Sequence, residues 1–338
     1  MKIHEKYIKR CIQLSKNGLS AAMPNPSVGA VIVHDGKIIG EGYTSPYGGN
    51  HAEVNAINSV SDKSLLSKST IYVSLEPCSH FGKTPPCSDL IIKFKIPIVV
   101  IGAVDSNIKV AGAGIKKMQD SGAEVIIGIL EKECKNANKR FFTYHEKKRP
   151  YIILKWAETA DGFIAPKQIK TNLKKREPVW ISNIYSRQLV HKWRSEEQAI
   201  LVGTQTVIQD NPRLDTRNWH GKNPIRIVLD KNNRISAESY IFDKSVKTFI
   251  ISKDIINYNN NIALEIANFL FNNNIQSIII EGGQKTLQTF INANLWDEAR
   301  VFKSDMFFGE GLKAPKISTI LLEKRQIQTD KILTYLNV

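Results

Sequence analysis

The sequence predicts an α/β protein made of two consecutive domains, on three observations. The chain has 338 residues, against about 100 to 200 for a single domain. Short apolar runs alternate with helix-periodic stretches in both halves, the pattern of sheets covered by helices. Between the halves, His145, Glu146, Lys147, Lys148 and Arg149 form a charged stretch closed by Pro150. That stretch places the boundary between domains over 1–146 and 147–338.

The first half opens with a helix expected over about 5–17, with Tyr7, Ile8, Cys11 and Ile12 on its apolar face and Gly18 as its stop. The apolar runs 28–33 and 38–43 flank His34, Asp35, Gly36 and Lys37, and Asp-Gly is a tight-turn signal, so a hairpin follows. Next come a helix from about His51, a strand at 70–75, a helix near 87–94, a strand at 96–104, a helix near 112–121, a strand at 123–129 and a last helix running to the boundary. The second half begins with a strand at Tyr151 and a polar loop around 165–179. A helix over about 183–197 follows, whose Tyr185, Leu189 and Trp193 are spaced to face inward. Further strands are expected at 199–203, 225–230, 248–252 and 277–283, separated by helical stretches such as 263–271 and 285–295. No repeat relates the halves, and the asparagine-rich stretches near 257–261 and 272–274 read as surface filler.

Hydrophobic residues make up 42% of the chain and charged residues 23%, which excludes a mainly disordered protein. No run approaches the roughly 18 apolar residues of a membrane helix, and the start is charged and amphipathic, so a cytoplasmic protein with no membrane partner is expected. Four cysteines (Cys11, Cys78, Cys87, Cys134) are too few for a disulfide framework and point to metal binding or packing. The net charge of +15 suits nucleic acid, an anionic surface or phosphorylated small molecules. It selects none of them, because the basic residues are spread along both halves and compositional drift explains them equally well.

The strongest chemical signal is His51-Ala52-Glu53, followed by Pro77-Cys78 and then Cys87. Imidazole nitrogen and thiolate are zinc donors, and three protein ligands with one open position make a catalytic site that can hold water. Glu53 lies two residues from His51, near enough to reach such a water without being a ligand. Cys87 is near a helix start, where positive partial charge favours a thiolate. A histidine, a nearby glutamate and a proline-cysteine pair form the signature of zinc deaminases. Ordinary packing explains any one of these residues better than it explains the set. A structural zinc would need a fourth ligand, for which His80 is the candidate. The other histidines (His4, His34, His145, His191, His220) stand apart and read as solvated or packed.

At these residues the chain resembles the deaminase half of the RibD family of bifunctional riboflavin biosynthesis proteins. The resemblance is carried by PNPSVGAVIV at 24–33, HAEVNAI at 51–57, LEPCSHFGKTPPC at 75–87 and VAGAGI at 110–115. Nucleic acid and nucleoside deaminases usually have two residues between the cysteines, whereas RibD resembles this chain in having eight. The resemblance implies a cytidine-deaminase-like domain with His51, Cys78 and Cys87 on zinc and Glu53 as proton shuttle. It also implies that Asn25, His80 and Lys83 meet the substrate.

The similarity continues through ILKWAETADGFIA at 153–165, AILVGTQTVIQDNPRLDTR at 199–217, NPIRIVLD at 223–230 and IIIEGGQKTLQTFI at 278–291, which resemble the RibD reductase. That implies a dihydrofolate-reductase-like second domain using NADPH. Independently of the resemblance, Glu281-Gly282-Gly283 between a strand and a helix offers amides at a helix N-terminus, suited to a pyrophosphate. Lys155 and Glu281 are polar residues at the ends of apolar strands, where α/β sheets often place catalytic groups, although a salt bridge at a sheet edge is the plainer explanation. By resemblance the cofactor contacts are Ala157, Trp180, Thr206, Asp210, Lys231 and the run Gly283, Gln284, Lys285, Thr286, Leu287, Gln288 and Thr289. The substrate contacts are Pro178, Arg194, Leu214, Arg217 and Glu281. Arg194 and Arg217, from separate elements, are expected to grip the substrate's 5′-phosphate with paired, charge-assisted bonds.

The function expected is zinc-dependent hydrolytic deamination of 2,5-diamino-6-(5-phosphoribosylamino)pyrimidin-4-one. NADPH-dependent reduction of the ribosyl group of 5-amino-6-(5-phosphoribosylamino)uracil to ribityl follows it. The partner is then a small phosphorylated pyrimidine and not nucleic acid, and assembly into a homo-oligomer stays open. Two alternatives compete: a nucleic acid editing deaminase with a basic accessory domain, which the charge favours and the cysteine spacing opposes, and a zinc-stabilised binding module without catalysis.

Overall fold

The computed structural model describes residues 2–82, 84–106, 112–167 and 179–337. The chain divides into two compact units, Met1–Lys148 and Arg149–Val338. The division falls just past the expected boundary because the last helix of the first unit runs on to Lys147. No helix among the described residues is long and apolar enough to cross a membrane.

The first unit is a five-stranded mixed sheet with helices around it. Helix α1 (Lys2–Ser15) buries Tyr7, Ile8, Cys11 and Leu14, with Ile12 at the margin. The hairpin forms as expected from β1 (Gly29–His34) and β2 (Lys37–Tyr43). Asp35 and Gly36 both take positive φ, 48° and 75°, which suits a two-residue turn between twisted strands. Helix α2 (Ala52–Ser59) is followed by β3 (Thr70–Leu75), α3 (Cys87–Lys93), β4 (Ile98–Ala103), α4 (Ala113–Asp120), β5 (Glu124–Ile127), α5 (Glu131–Ala137) and α6 (Lys139–Lys147). The spatial order is β2-β1-β3-β4-β5, antiparallel across β2, β1 and β3 and parallel from β3 to β5. β1, β3 and β4 are almost wholly buried, which is why they read as continuous apolar runs.

Two glycines bring α2 down onto β2. A Cβ at Gly42 would lie 2.4 Å from the Ala56 nitrogen, and one at Gly40 would lie 2.5 Å from the Ala56 oxygen. Helix backbone therefore rests directly on strand backbone, which sets the height of His51 and Glu53 above the sheet. Where one last helix was expected there are two, α5 and α6, broken at Asn138. The Asn138 side chain accepts a hydrogen bond from the Ser27 backbone N–H (2.9 Å), so the break serves a contact with the segment before β1.

The second unit starts with β6 (Tyr151–Glu158) and β7 (Phe163–Pro166), then α7 (Ile184–Glu196), β8 (Ala199–Gly203), α8 (Thr204–Asp210), β9 (Ile225–Leu229), β10 (Thr248–Ile251), α9 (Ile262–Asn272), β11 (Ser277–Glu281) and α10 (Gln284–Asn292). Four strands close it: β12 (Glu298–Lys303), β13 (Gly311–Lys313), β14 (Ile320–Ile327) and β15 (Asp330–Leu336). The main sheet has the order β10-β9-β8-β11-β6-β12-β15-β14, parallel as far as β12 and antiparallel beyond it, and β7 pairs with β13 separately. Alternate residues face opposite sides. Ile152, Leu154, Ile278 and Ile280 pack under α9 and α10, while Ile153, Ile279, Ile200 and Val202 face α7 and α8.

The inward face of α7 differs from the expected one. Tyr185 is 56% exposed and Leu189 half-buried, while Ser186, Val190 and Trp193 face the core. A small serine packs closer to the sheet than a tyrosine can, so the helix is rotated by about one residue. Lys155 and Glu281 are not at a sheet edge. They sit opposite each other in the middle of the sheet, Glu281 at the C-terminal end of β11 and Lys155 within β6, three residues before its end.

Candidate active sites

In the first unit three local events converge. His51 is the N-cap of α2, Cys78 follows β3 by three residues, and Cys87 opens α3. The Cys87 backbone N–H donates to Cys78 Sγ (3.3 Å) and the Ser88 N–H donates to the Cys78 carbonyl (3.1 Å), so the start of α3 holds the Cys78 loop in place. His51 Nδ1 lies 3.5 Å from Cys78 Sγ and 3.4 Å from Cys87 Sγ. For a tetrahedral zinc with ordinary Zn–S and Zn–N lengths, the nitrogen-to-sulfur edge is about 3.6 Å. The three donor atoms thus already stand at the spacing of a zinc site, all within 4.8 Å of one another.

The electrostatics agree with that spacing. The Cys78 thiol is lowered to about 4, chiefly by its hydrogen bond with Cys87, and the Cys87 thiol is pushed well above its ordinary value by the same bond and by burial. His51 is raised, mainly through its bond to Cys78. A thiolate, a thiol held from ionising and an imidazole pressed together form a set that a cation would satisfy. The helix-start amide of Cys87 points at the Cys78 sulfur.

Glu53 is buried in the first turn of α2. Its carboxyl is raised to about 7, chiefly by burial, with the neighbouring Cys78 adding to the rise and His51 opposing it. It stands outside the three-donor group, as does His80, which is exposed, so no fourth protein ligand closes the set among the described residues. Asn25 is half-buried in the segment before β1. Lys83 lies outside the described residues. One residue the sequence reading passed over is Glu76, whose buried carboxylate accepts hydrogen bonds from four backbone N–H groups among the described residues. A charged residue ending an otherwise apolar strand was the available signal.

In the second unit Arg194, at the end of α7, donates to Glu281 from Nε (3.3 Å) and Nη2 (2.9 Å), and Lys155 Nζ lies 3.7 Å from the same carboxylate. Burial alone would raise the Glu281 carboxyl, but the Arg194 and Lys155 charges outweigh it and hold it at about 2. The Lys155 ammonium is lowered, because burial costs it more than Glu281 returns. Arg194 and Arg217 do come together, through Asp215. Arg194 Nη1 donates to the Asp215 carbonyl (3.1 Å), and Arg217 pairs with the Asp215 carboxylate. Asp215, absent from the sequence reading, is the hinge of this group. Arg194 is buried and paired with Glu281, while Arg217, its side chain 46% exposed, stays accessible.

The expected cofactor residues converge in part. Gly283 caps α10, and its N–H donates to Thr206 Oγ1 on α8 (3.1 Å). Gly282 takes φ 146° to let the chain turn from β11 into α10. The amides of Gln284, Lys285 and Thr286 fall in the first turn, where helix N–H groups have no partner within the helix. The Leu287 side chain is fully buried and its amide donates to the Gly283 carbonyl. Gln288 and Thr289 bond to Asn292, to Lys316 and to the Lys285 carbonyl, so their side chains turn along the helix. Leu214, expected at the substrate, is 2% exposed in the core under α8 and has φ 54°. Ala157 sits half-buried on β6 and Asp210 ends α8. Trp180 is exposed under the Arg187 guanidinium, 4.5 Å from the ring centre. Lys231 follows β9 and lines a cavity of about 480 Å³ with Lys253 and Tyr258. Pro178 lies outside the described residues.

The chain is similar to known proteins along nearly its whole length. The family RibD C-terminal domain matches residues 150–337, and the family cytidine and deoxycytidylate deaminase zinc-binding region matches residues 1–103. Riboflavin biosynthesis protein RibD of Aquifex aeolicus is 37% identical over 326 residues, covering 92% of this chain and 89% of that protein. Its counterpart from Bacillus amyloliquefaciens is 34% identical, covering 93% and 88%. Among solved structures, a diaminohydroxyphosphoribosylaminopyrimidine deaminase/5-amino-6-(5-phosphoribosylamino)uracil reductase from Thermotoga maritima matches with a TM-score of 0.88 at 35% identity, covering 99% of both chains.

Proposed function

This chain belongs to the RibD family, and from that premise we propose how its residues divide the work. It is a bifunctional enzyme of riboflavin biosynthesis, with a cytidine-deaminase-like domain that binds zinc and a dihydrofolate-reductase-like domain that uses NADPH. The observation that carries the assignment of the first site is the His51, Cys78 and Cys87 donor set at zinc spacing, open at the fourth position, with buried Glu53 beside it.

The first domain, over about 1–146, acts on 2,5-diamino-6-(5-phosphoribosylamino)pyrimidin-4-one. His51, Cys78 and Cys87 would hold the zinc. Bound zinc supplies Lewis acidity that makes a water acidic enough to act as nucleophile near neutral pH. Glu53 accepts that water's proton and passes protons to the ring nitrogen and the departing amine, a task for a carboxyl raised to about 7. Asn25, His80 and Lys83 contact the pyrimidine or its sugar phosphate.

The second domain, over about 147–338, reduces 5-amino-6-(5-phosphoribosylamino)uracil. NADPH, when bound, supplies a hydride to C1′ of the sugar. As the bond from C1′ to the ring oxygen opens, that oxygen takes a proton. Lys155 is the donor, its ammonium lowered by burial and held in place by Glu281. The first-turn amides of α10 and Thr206 seat the cofactor's pyrophosphate. Arg217 holds the substrate phosphate, and Arg194 orients Glu281. The substrate is a free phosphorylated pyrimidine in the cytoplasm, without nucleic acid.

The test is Glu53→Gln in the full chain. Zinc content should stay at one per chain, deamination should be lost, and reduction of supplied deaminated intermediate should continue. Deamination at the wild-type rate with zinc retained would remove Glu53 from the mechanism.

A further inference from the structure

We infer that Glu76 is a positioning residue of the zinc site, a brace that fixes Cys78 by joining the ends of β3 and β4 to the start of α4. The inference rests on the deaminase reading of that site and adds a residue to it.

Glu76 follows β3 directly, and its backbone N–H continues the ladder to β4 by donating to the Ala103 carbonyl (2.9 Å). Two residues later comes Cys78. The Glu76 side chain is buried, and each carboxylate oxygen accepts two backbone N–H groups. Oε2 takes those of Asp105 (3.3 Å) and Gly112 (3.0 Å), and Oε1 takes those of Gly114 (3.1 Å) and Ile115 (3.4 Å). The donors belong to two segments, the exit of β4 and the first turn of α4. The backbone is equally close: a Cβ at Gly114 would stand 2.3 Å from the Pro77 carbonyl oxygen. The peptide between Glu76 and Cys78 is therefore clamped against α4 on one side. On the other side, the Cys87 and Ser88 amides clamp Cys78 itself to α3.

Only a carboxylate fits this arrangement. It is an acceptor with no donor and about four lone-pair sites for four N–H groups. Glutamine of the same shape would keep one acceptor oxygen and turn an NH₂ group toward two N–H donors. Buried, those donors would lose their partners, and the clamp would open toward Pro77 and Cys78. Partners that orient a metal ligand from behind typically matter by about 10- to 100-fold in metal affinity or activity.

The experiment compares wild type with Glu76→Gln, both as full chains. Zinc affinity is measured by competition with a chromogenic chelator, and the absorption spectrum of the cobalt-substituted protein is recorded. The variant should bind zinc about 10- to 100-fold more weakly, and its thiolate-to-cobalt absorption should be altered because Cys78 is displaced. NADPH-dependent reduction of supplied deaminated intermediate should equal wild type, which shows that the second domain is intact. Wild-type zinc affinity together with an unchanged cobalt spectrum would overturn the inference. Should Glu76→Gln fail to fold, Gly114→Ala presses on the same junction from α4 and carries the same expectation, and a folded Gly114→Ala with wild-type affinity and spectrum overturns it equally. Failure of the deaminase reading looks different: wild type itself would bind zinc without deaminating the pyrimidine.

Discussion

Arg194→Met should destabilise the second domain by about 3 kcal/mol, and the reason lies in the Glu281 carboxylate. In the folded protein Arg194 and Lys155 together hold that group at about 2 against an ordinary value of 4.5, a depression equivalent to roughly 3 kcal/mol that the two cations share. Arg194 is its closer cation, at 2.9 Å against 3.7 Å for Lys155, and both members of the Arg194 pair are largely buried. Methionine keeps much of the arginine stem's volume and leaves Glu281 desolvated beside Lys155 alone. Breaking a buried pair from one side generally costs about 3 to 5 kcal/mol, which agrees. Lys155 contributes to the same depression and keeps part of it in the variant. All five tryptophans lie in the second unit, so their fluorescence in urea reports its unfolding and not that of the first unit. With a slope of about 2 kcal/mol per molar, the midpoint should fall by about 1 to 2 M. The double variant Arg194→Met/Glu281→Gln should recover part of the loss, because the desolvated carboxylate is gone, but not all of it, because Lys155 loses its partner. The pH dependence has a definite sign. A depressed carboxyl contributes stability that is present above about 4.5 and lost as pH falls toward 2, so the gap between wild type and Arg194→Met should narrow over that range. An Arg194→Met midpoint equal to wild type at pH 7 would refute the argument.

Other outcomes follow from the same geometry. Glu53→Gln should slow deamination by about 10²- to 10⁴-fold, the usual contribution of a positioned proton carrier, with KM little changed; a KM effect alone, seen in steady-state kinetics, would assign Glu53 to binding. Arg217→Ala should mainly raise KM for the sugar reduction, since Arg217 is accessible and its proposed partner is a phosphate that does not react; unchanged KM and kcat would place the phosphate elsewhere. Removing zinc with a chelator should abolish deamination and leave reduction of supplied intermediate intact, as read by NADPH absorbance. Parallel loss of both activities would contradict the division of chemistry between the domains.

What the sequence made legible was mostly local. β3 was read at its true ends because a buried strand is a short apolar run between polar flanks. The cluster of candidate metal donors was legible because each is fixed by an adjacent helix start or strand end, and metal chemistry limits the residue types. Long-range pairing hid the rest. The break at Asn138 carries neither proline nor glycine and exists for a contact with Ser27, 111 positions away. β14 is exposed almost throughout, so it lacks the apolar alternation that marks a strand, and only its pairing with β15 makes it one. The burial of the Leu214 and Leu287 side chains in the core was not marked by any local pattern. The commitment of Arg194 to Glu281 depends on α7 crossing the end of β11, a geometry that no spacing within either segment encodes.

The central claim is that one chain performs two reactions in order on a free phosphorylated pyrimidine. The direct measurement is incubation of the purified protein with 2,5-diamino-6-(5-phosphoribosylamino)pyrimidin-4-one, with and without NADPH, followed by mass analysis. Without NADPH the product should have exchanged one amino group for oxygen and gone no further. With NADPH it should also have gained two hydrogens on the sugar. Substrate recovered unchanged by zinc-loaded, folded protein, or a deaminated product that NADPH leaves unreduced, would contradict the account.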